Sequence, residues 1–236
     1  MPPHLFPWSV VVVVPAHDEA MLLPGCLDSI ARAGAAVADR ARVSTVVVAD
    51  ACADLTASIA RAHGAALVEV AHRNVGAARA SGVGAGLAAA GAWPLHRIWL
   101  ASTDADTVVH GDWLAHQLDL ADAGVTAVAG VVLVDSFSEH PVGTATAFAT
   151  HYATSAGLGH PHVHGANLGT RADAYQRAGG WEAMHLAEEH DLWRRLREAG
   201  ERCLATTTLW VTTSGRARGR AHGGFADLLG GLAGGT

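Results

Sequence analysis

The regular pattern of the chain begins with an apolar run that does not alternate. Residues 9–14, SVVVVV, are β-branched almost throughout. A strand with one wet face alternates apolar and polar side chains, so an unbroken run reads as a strand covered on both faces, as in a parallel sheet. Pro15 is expected to stop it. Asp18 and Glu19 then open a helix reading MLLPGCLDSIARA, where acidic residues suit the helix dipole. The same alternation continues. VSTVVV at 43–48 is a second strand, and ASIARAHG is a helix with Gly64 as its C′ residue. Asp54 and Thr56 read as cap and turn residues, and Asp50 sits just past the strand end. LVEV at 67–70 is a third strand. It leads into HRNVGAARASGVGAGLAAA, a Gly-rich turn and a small-residue helix whose glycines permit close approach of backbone or ligand. RIWLAST is a fourth strand, Asp112, Trp113 and Leu114 begin a helix that ends near Gly124, and VTAVAGVVLV at 125–134 is a fifth strand. This order predicts an α/β fold, a single domain with one doubly wound, mostly parallel sheet flanked by helices.

After residue 135 the pattern changes. SFSEHPVG reads as a loop, 144–158 as weakly helical, and HPHVHGANLGTRADAYQRAGGW as a polar loop and helix. EEHDLWRRLREAG is a clear helix with Leu192 and Leu196 on one face and Gly200 as terminator. RCLATTTLWVTTS reads as a last strand, and the basic, then Gly-rich residues 216–236 as a mobile arm.

Composition narrows the function classes. A formal net charge of −6 with no basic block disfavours a nucleic-acid partner. Cys26, Cys52 and Cys203 show no paired spacing, which reads as reduced and intracellular. No stretch reaches the roughly 18 to 20 apolar residues of a membrane span, and the start lacks the features of a signal peptide. The expected location is therefore the cytoplasm, with a peripheral membrane contact by the tail left open.

The chemistry gathers at Asp104-Ala105-Asp106, behind the apolar Ile98, Trp99 and Leu100. Two carboxylates in an apolar setting are costly, and a divalent cation between them offsets that cost because hard cations take carboxylate oxygens. An extended strand would send the two side chains to opposite faces. Both can reach one ion only if the chain turns there or one acts through water. Glu19 and Asp50 also follow strand ends, and in a parallel sheet these ends share one edge. The set predicts an acidic, metal-binding pocket for a phosphorylated ligand. The glycines at 82, 84 and 86 have the wrong spacing and place for a dinucleotide fingerprint. A Walker loop and a nucleophile elbow are absent. The cluster His160, His162 and His164 lacks the further ligands of a structural zinc site.

Six stretches, VVVVPAHDE, VVVADACADLT, RNVGAARASGVGAG, STDADTVV, GANLGTRADAYQRAGGW and EEHDLWRRL, stand in the order shown by glycosyltransferase family 2. The chain resembles that family over about residues 9–200, as a soluble, non-processive member with the GT-A fold. The resemblance implies that Glu19 and Asp50 contact the nucleoside, and that Pro15, Ala16, Asn74, Gly76 and Arg79 line the same pocket. It implies that Asp104, Ala105 and Asp106 hold the diphosphate through Mg²⁺ or Mn²⁺. Gly165, Ala166, Asn167 and Trp181 would border sugar and acceptor. Glu188, Glu189 and Asp191 would supply the base. The family usually has Glu-Asp where this chain has Glu188-Glu189, which leaves Glu189 and Asp191 as alternatives. The first acidic position of the second motif is Ala49, and the processive Q-x-x-R-W motif is missing.

The implied activity is an inverting, metal-dependent sugar transfer from a nucleoside-diphosphate sugar, a UDP-sugar favoured, to an acceptor hydroxyl. Residues 1–135 would bind the donor and 136–215 the acceptor, with specificity in loops such as 136–165. The helix dipole would favour the ionised form of a base at Glu188–Asp191. Arg216, Arg218 and Arg220 could fold over the diphosphate as a lid, and His222 could add a metal ligand. A nucleotidyltransferase, a non-catalytic nucleotide-sugar binder and redox chemistry on a similar sheet are the rival readings. Neither the acceptor nor the oligomeric state is legible.

Overall fold

A computed structural model describes residues 7–151, 162–219 and 224–233. The first half follows the predicted alternation: β1 (Trp8–Ala16), α1 (Leu23–Ala35), β2 (Ala41–Asp50), α2 (Thr56–Ala62), β3 (Ala66–Val70), α3 (Val75–Ala90), β4 (Ile98–Ser102), β5 (Thr107–Val109), α4 (Trp113–Asp122) and β6 (Ala127–Val134). The second half adds α5 (Thr144–His151), β7 (Leu168–Arg171), α6 (Ala172–Arg177), α7 (Glu188–Glu198), β8 (Cys203–Thr213) and α8 (Phe225–Ala233). The eight strands form one sheet in the order β3-β2-β1-β4-β7-β6-β8-β5.

The valine run explains the centre of this sheet. Val10, Val12 and Val14 pack with α1 and α4 on one face, and Val11 and Val13 pack under α3 on the other. All five are essentially unexposed, as a strand covered on both sides requires. β1 pairs in parallel with both β2 and β4. The chain winds outward from β1 to β3, then returns to place β4 on the other side, so the topological switch lies between β1 and β4.

Four expectations change. Pro15 does not stop β1, which runs through to Ala16. Pairing with β4 ends at Val13, so Pro15 has a sheet partner only in β2, a one-sided position that tolerates a missing N–H. Glu19 does not open a helix, because α1 starts at Leu23 with a proline in its first turn. The sheet is mostly parallel, as expected, but mixed beyond β4, where β6 and β8 pair in parallel. The short β7, inside a stretch read as loop and helix, pairs antiparallel with β4 and β6, and the three-residue β5 pairs antiparallel with β8. Finally, the stretch read as a mobile arm contains α8, whose Leu229 is buried against Val131 and Phe148. No helix among the described residues is long and apolar enough to cross a membrane.

Candidate active site

A cavity of about 590 Å³ opens where β1, β2 and β4 end. That volume lies in the range of small-molecule sites. Pro15, Ala16, Glu19, Asp50, Asn74, Arg79, Asp104, Ala105 and Asp106 are among its lining residues. The backbone turns at Asp104-Ala105-Asp106, and Thr107 N donates to Asp104 O at 3.1 Å. That turn breaks the strand alternation, and both carboxylates line the same cavity. Asp50 is buried and accepts the backbone N–H groups of Arg73 at 2.8 Å and Asn74 at 3.0 Å. It thereby shapes the entry into α3, whose N-cap Asn74 accepts from Ala77 N at 2.9 Å.

Glu19, 5% exposed, turns into the cavity and meets Arg216. The guanidinium donates to both carboxylate oxygens, at 2.6 and 3.0 Å, and its Nη2 also lies 2.7 Å from Asp106 Oδ2. Asp106 is pushed up to about 6, first by burial and then by the charge of Asp104. Thr213 Oγ1, at the end of β8, donates to Asp106 Oδ1 at 3.3 Å.

The start of α7 adds further acidic lining. Glu188 and Glu189 line the cavity, and Ala187 before them adopts a left-handed φ of 62°. Glu188 is buried and accepts from Arg79 Nη1 at 2.5 Å, while Arg79 Nη2 donates to Asp104 Oδ1 at 2.7 Å. Glu189 is raised to about 7, by burial first and by the neighbouring Glu188 charge second. The helix dipole therefore does not decide its protonation; desolvation and a like charge outweigh it.

Several residues expected at the site do not line the cavity. Asp191 points to its own helix, with Arg194 Nη2 at 2.7 Å and Arg195 Nε at 2.8 Å holding its carboxyl below the usual range. Asn167 is fully buried, where its amide donates to the carbonyls of Val131 and Leu209 and its oxygen accepts from Trp113 Nε1. Gly76 makes room for the backbone of Glu182, since a Cβ there would meet that carbonyl oxygen at 2.1 Å. Trp181 stacks against Arg79 instead of lining the cavity. Gly165 and Ala166 do line it, whereas Arg218 is exposed and does not. Arg220 and His222 fall outside the described residues, as does His160.

Other lining residues carried little signal in the sequence. His17 sits inside the PAHDE stretch, with Nδ1 2.6 Å from Asp50 O. His164, His185, His190, Phe225 and Leu228 also face the cavity, the last two from α8. Thr213 was findable only as one more polar residue at a strand end. A second acidic group, Asp18 and Asp54 with Cys52, ties together the loops after β1 and β2: Asp18 Oδ1 accepts from Ala53 N at 2.7 Å, and Asp54 Oδ2 from Ala20 N at 2.9 Å.

The carboxylates Asp104 and Asp106 have the oxygen chemistry a hard divalent cation takes. Each already uses one oxygen on an arginine, so two side chains alone would give a sparse coordination shell. That matches cations that keep several waters and share substrate phosphates.

The family model described as "Glycosyltransferase like family 2" matches residues 7–217. No curated protein matches the chain. Among solved structures, the chain is similar to the mannosyltransferase PcManGT from Pyrobaculum calidifontis in complex with GDP-Man and Mn²⁺, with 24% identity, a TM-score of 0.66, and coverage of 89% of this chain and 58% of that one. It is similar to S. aureus TarS at 12% identity and a TM-score of 0.65, covering 87% of this chain and 36% of that one. The glucosyl-3-phosphoglycerate synthase from Mycobacterium tuberculosis, in complex with Mn²⁺, UDP-Glc and glycerol 3-phosphate, aligns at 18% identity and a TM-score of 0.55, covering 96% of this chain and 76% of that one. The chain thus spans less than two thirds of the first two structures, and the likeness to all three is one of fold.

Proposed function

The chain belongs to the glycosyltransferase-like family 2, and from that membership we propose that it moves a sugar from a nucleoside-diphosphate sugar to an acceptor hydroxyl, with inversion and with a divalent cation. The observation that carries the proposal is one cavity lined by acidic residues from two parts of the chain. Glu19, Asp50, Asp104 and Asp106 stand at the strand ends, and Glu188 and Glu189 join them from the start of α7. Bound UDP-Glc or GDP-Man with Mn²⁺ in two structural relatives supports a UDP- or GDP-sugar as donor. In this reading residues 1–135 hold the donor and 136–215 face the acceptor.

The chemistry assigned to this chain is a single displacement. The acceptor oxygen attacks the anomeric carbon from the α7 side and the bond to the nucleoside diphosphate breaks. Glu189 takes the proton from the acceptor hydroxyl. Its position near 7 matches a base working at neutral pH. Asp191 is passed over as base because two arginines occupy its carboxylate. Arg216 reaches the acidic wall from the C-terminal segment and supplies positive charge for the departing diphosphate. Asp104 and Asp106 would hold Mg²⁺ or Mn²⁺, which when bound offsets negative charge on the diphosphate.

The test is donor turnover, followed as release of free nucleoside diphosphate from UDP-glucose and GDP-mannose with Mn²⁺. The proposal expects cation-dependent release from one of them and its loss in Asp106→Ala. Release unaffected by a chelator would remove the metal-dependent reading.

A further inference from the structure

Arg79 lies in α3 and is only 3% exposed, yet it carries a full charge. A charge removed from water needs partners that replace its hydration. Among the described residues its guanidinium bonds two, Asp104 just past the end of β4 and Glu188 at the start of α7, both of which line the cavity. Its guanidinium is held in place as well. The central carbon lies 5.0 Å from the centroid of the Trp181 ring. Gly165 lies close against it, since a Cβ there would stand 2.3 Å from Nη2 and 2.4 Å from Cζ. Meanwhile its Nε is buried with no hydrogen-bond partner among the described residues. The side chain is thus placed to span two carboxylates, not to satisfy all its own donors. Gly76 acts in the same direction by letting α3 approach the chain before α7.

We infer that Arg79 is a positioning residue that ties the cation-side carboxylate Asp104 to Glu188 beside the base, and that Gly165 and Trp181 hold its guanidinium in place. The inference deepens the proposed sugar transfer and rests on it. One planar fork then orients Asp104 and fixes its distance from Glu188. Lysine could not do this, because a point charge on a flexible stem does not hold two carboxylates in one plane.

The test compares the full-length chain with Arg79→Lys, Gly165→Ala, Trp181→Phe and Trp181→Ala. Two quantities are read: the Mn²⁺ dissociation constant in the presence of UDP or GDP, and donor turnover split into kcat and KM. Arg79→Lys and Gly165→Ala should weaken Mn²⁺ at least tenfold and, at saturating Mn²⁺, lower kcat at least a hundredfold, with donor KM within threefold and melting temperature within a few degrees. Trp181→Phe keeps a ring under the cation and should stay near wild type, whereas Trp181→Ala should follow Arg79→Lys. Should Arg79→Lys fail to fold, Gly165→Ala decides, because it displaces the guanidinium without removing the charge. Normal Mn²⁺ binding and kcat in a folded Gly165→Ala chain overturn the inference. Absence of Mn²⁺-dependent nucleotide binding in the wild type overturns the sugar-transfer reading itself.

Discussion

Glu189 and Asp191 are two residues apart on one helix, and their surroundings send them in opposite directions. Burial and the charge of Glu188 lift Glu189 to about 7, while Arg194 and Arg195 hold Asp191 low. Glu189→Gln should leave nucleotide binding intact and lower turnover by about 10²- to 10⁴-fold, the usual contribution of a general base. Asp191→Asn should keep most of the activity; the reverse pattern in steady-state kinetics would reassign the base. A base must be ionised, so kcat should rise with pH and level off above about 7. Asp106 adds a second limb. Raised to about 6, it is protonated below that pH, so Mn²⁺ affinity measured by titration should fall as pH drops through 6. Residue types and strand-end positions grouped Glu19, Asp50, Asp104 and Asp106 from the sequence alone, whereas Glu188 and Glu189 entered only through the family resemblance; all six line the cavity. Asn167 and Asp191 were not separable in that way. Asn167 is taken up by a core amide network whose partners, Trp113 and Val131, are distant in sequence, whereas Asp191 is taken up by Arg194 and Arg195 at a helical spacing that the sequence does show.

At the scale of elements, α3 shows why its glycines are there. A Cβ on Gly86 would stand 2.2 Å from Val11 Cγ1, and one on Gly82 2.5 Å from Val13 Cγ1. The helix lies directly on the valine strand, and these positions serve packing and not phosphate binding. Gly84, on the same helix, faces open space. Gly86→Ala should therefore destabilise by about 1–3 kcal/mol through overpacking, whereas Gly84→Ala should stabilise by about 0.5–1 kcal/mol through helix propensity; urea unfolding midpoints separate the two. The C-terminal segment is the other informative element. Arg216→Ala removes the positive charge proposed to face the departing diphosphate, and the donor should bind at least tenfold more weakly by calorimetry. Unchanged affinity would remove Arg216 from the diphosphate site. Periodicity foresaw the long strands and α7, whose Leu192 and Leu196 are fully buried. It missed β5 and β7 because three or four residues carry no period, and α8 because glycines masked an apolar face that only α5 and β6 reveal.

For the whole molecule, topology does what no local motif can. The order β3-β2-β1-β4 reverses between β1 and β4, and the acidic residues that follow β1, β2 and β4 meet at that crevice. The antiparallel β7 then carries the chain from Gly165 and Ala166 on the cavity wall back into the sheet, and α7 adds Glu188 and Glu189 to the lining. The site exists only when the two halves of the chain are folded together, so binding of donor should report on the entire fold. The decisive experiment is a thermal-shift series with UDP, GDP and NAD, each with and without Mn²⁺, on wild type and Asp106→Ala. A ligand at about a hundred times its dissociation constant stabilises by about 2.7 kcal/mol, a rise of several degrees for a domain of this size. Cation-dependent sugar transfer requires that rise for one nucleoside diphosphate, only with Mn²⁺ and only in the wild type. A shift with NAD instead, or one with UDP or GDP that ignores both the cation and Asp106, would contradict it.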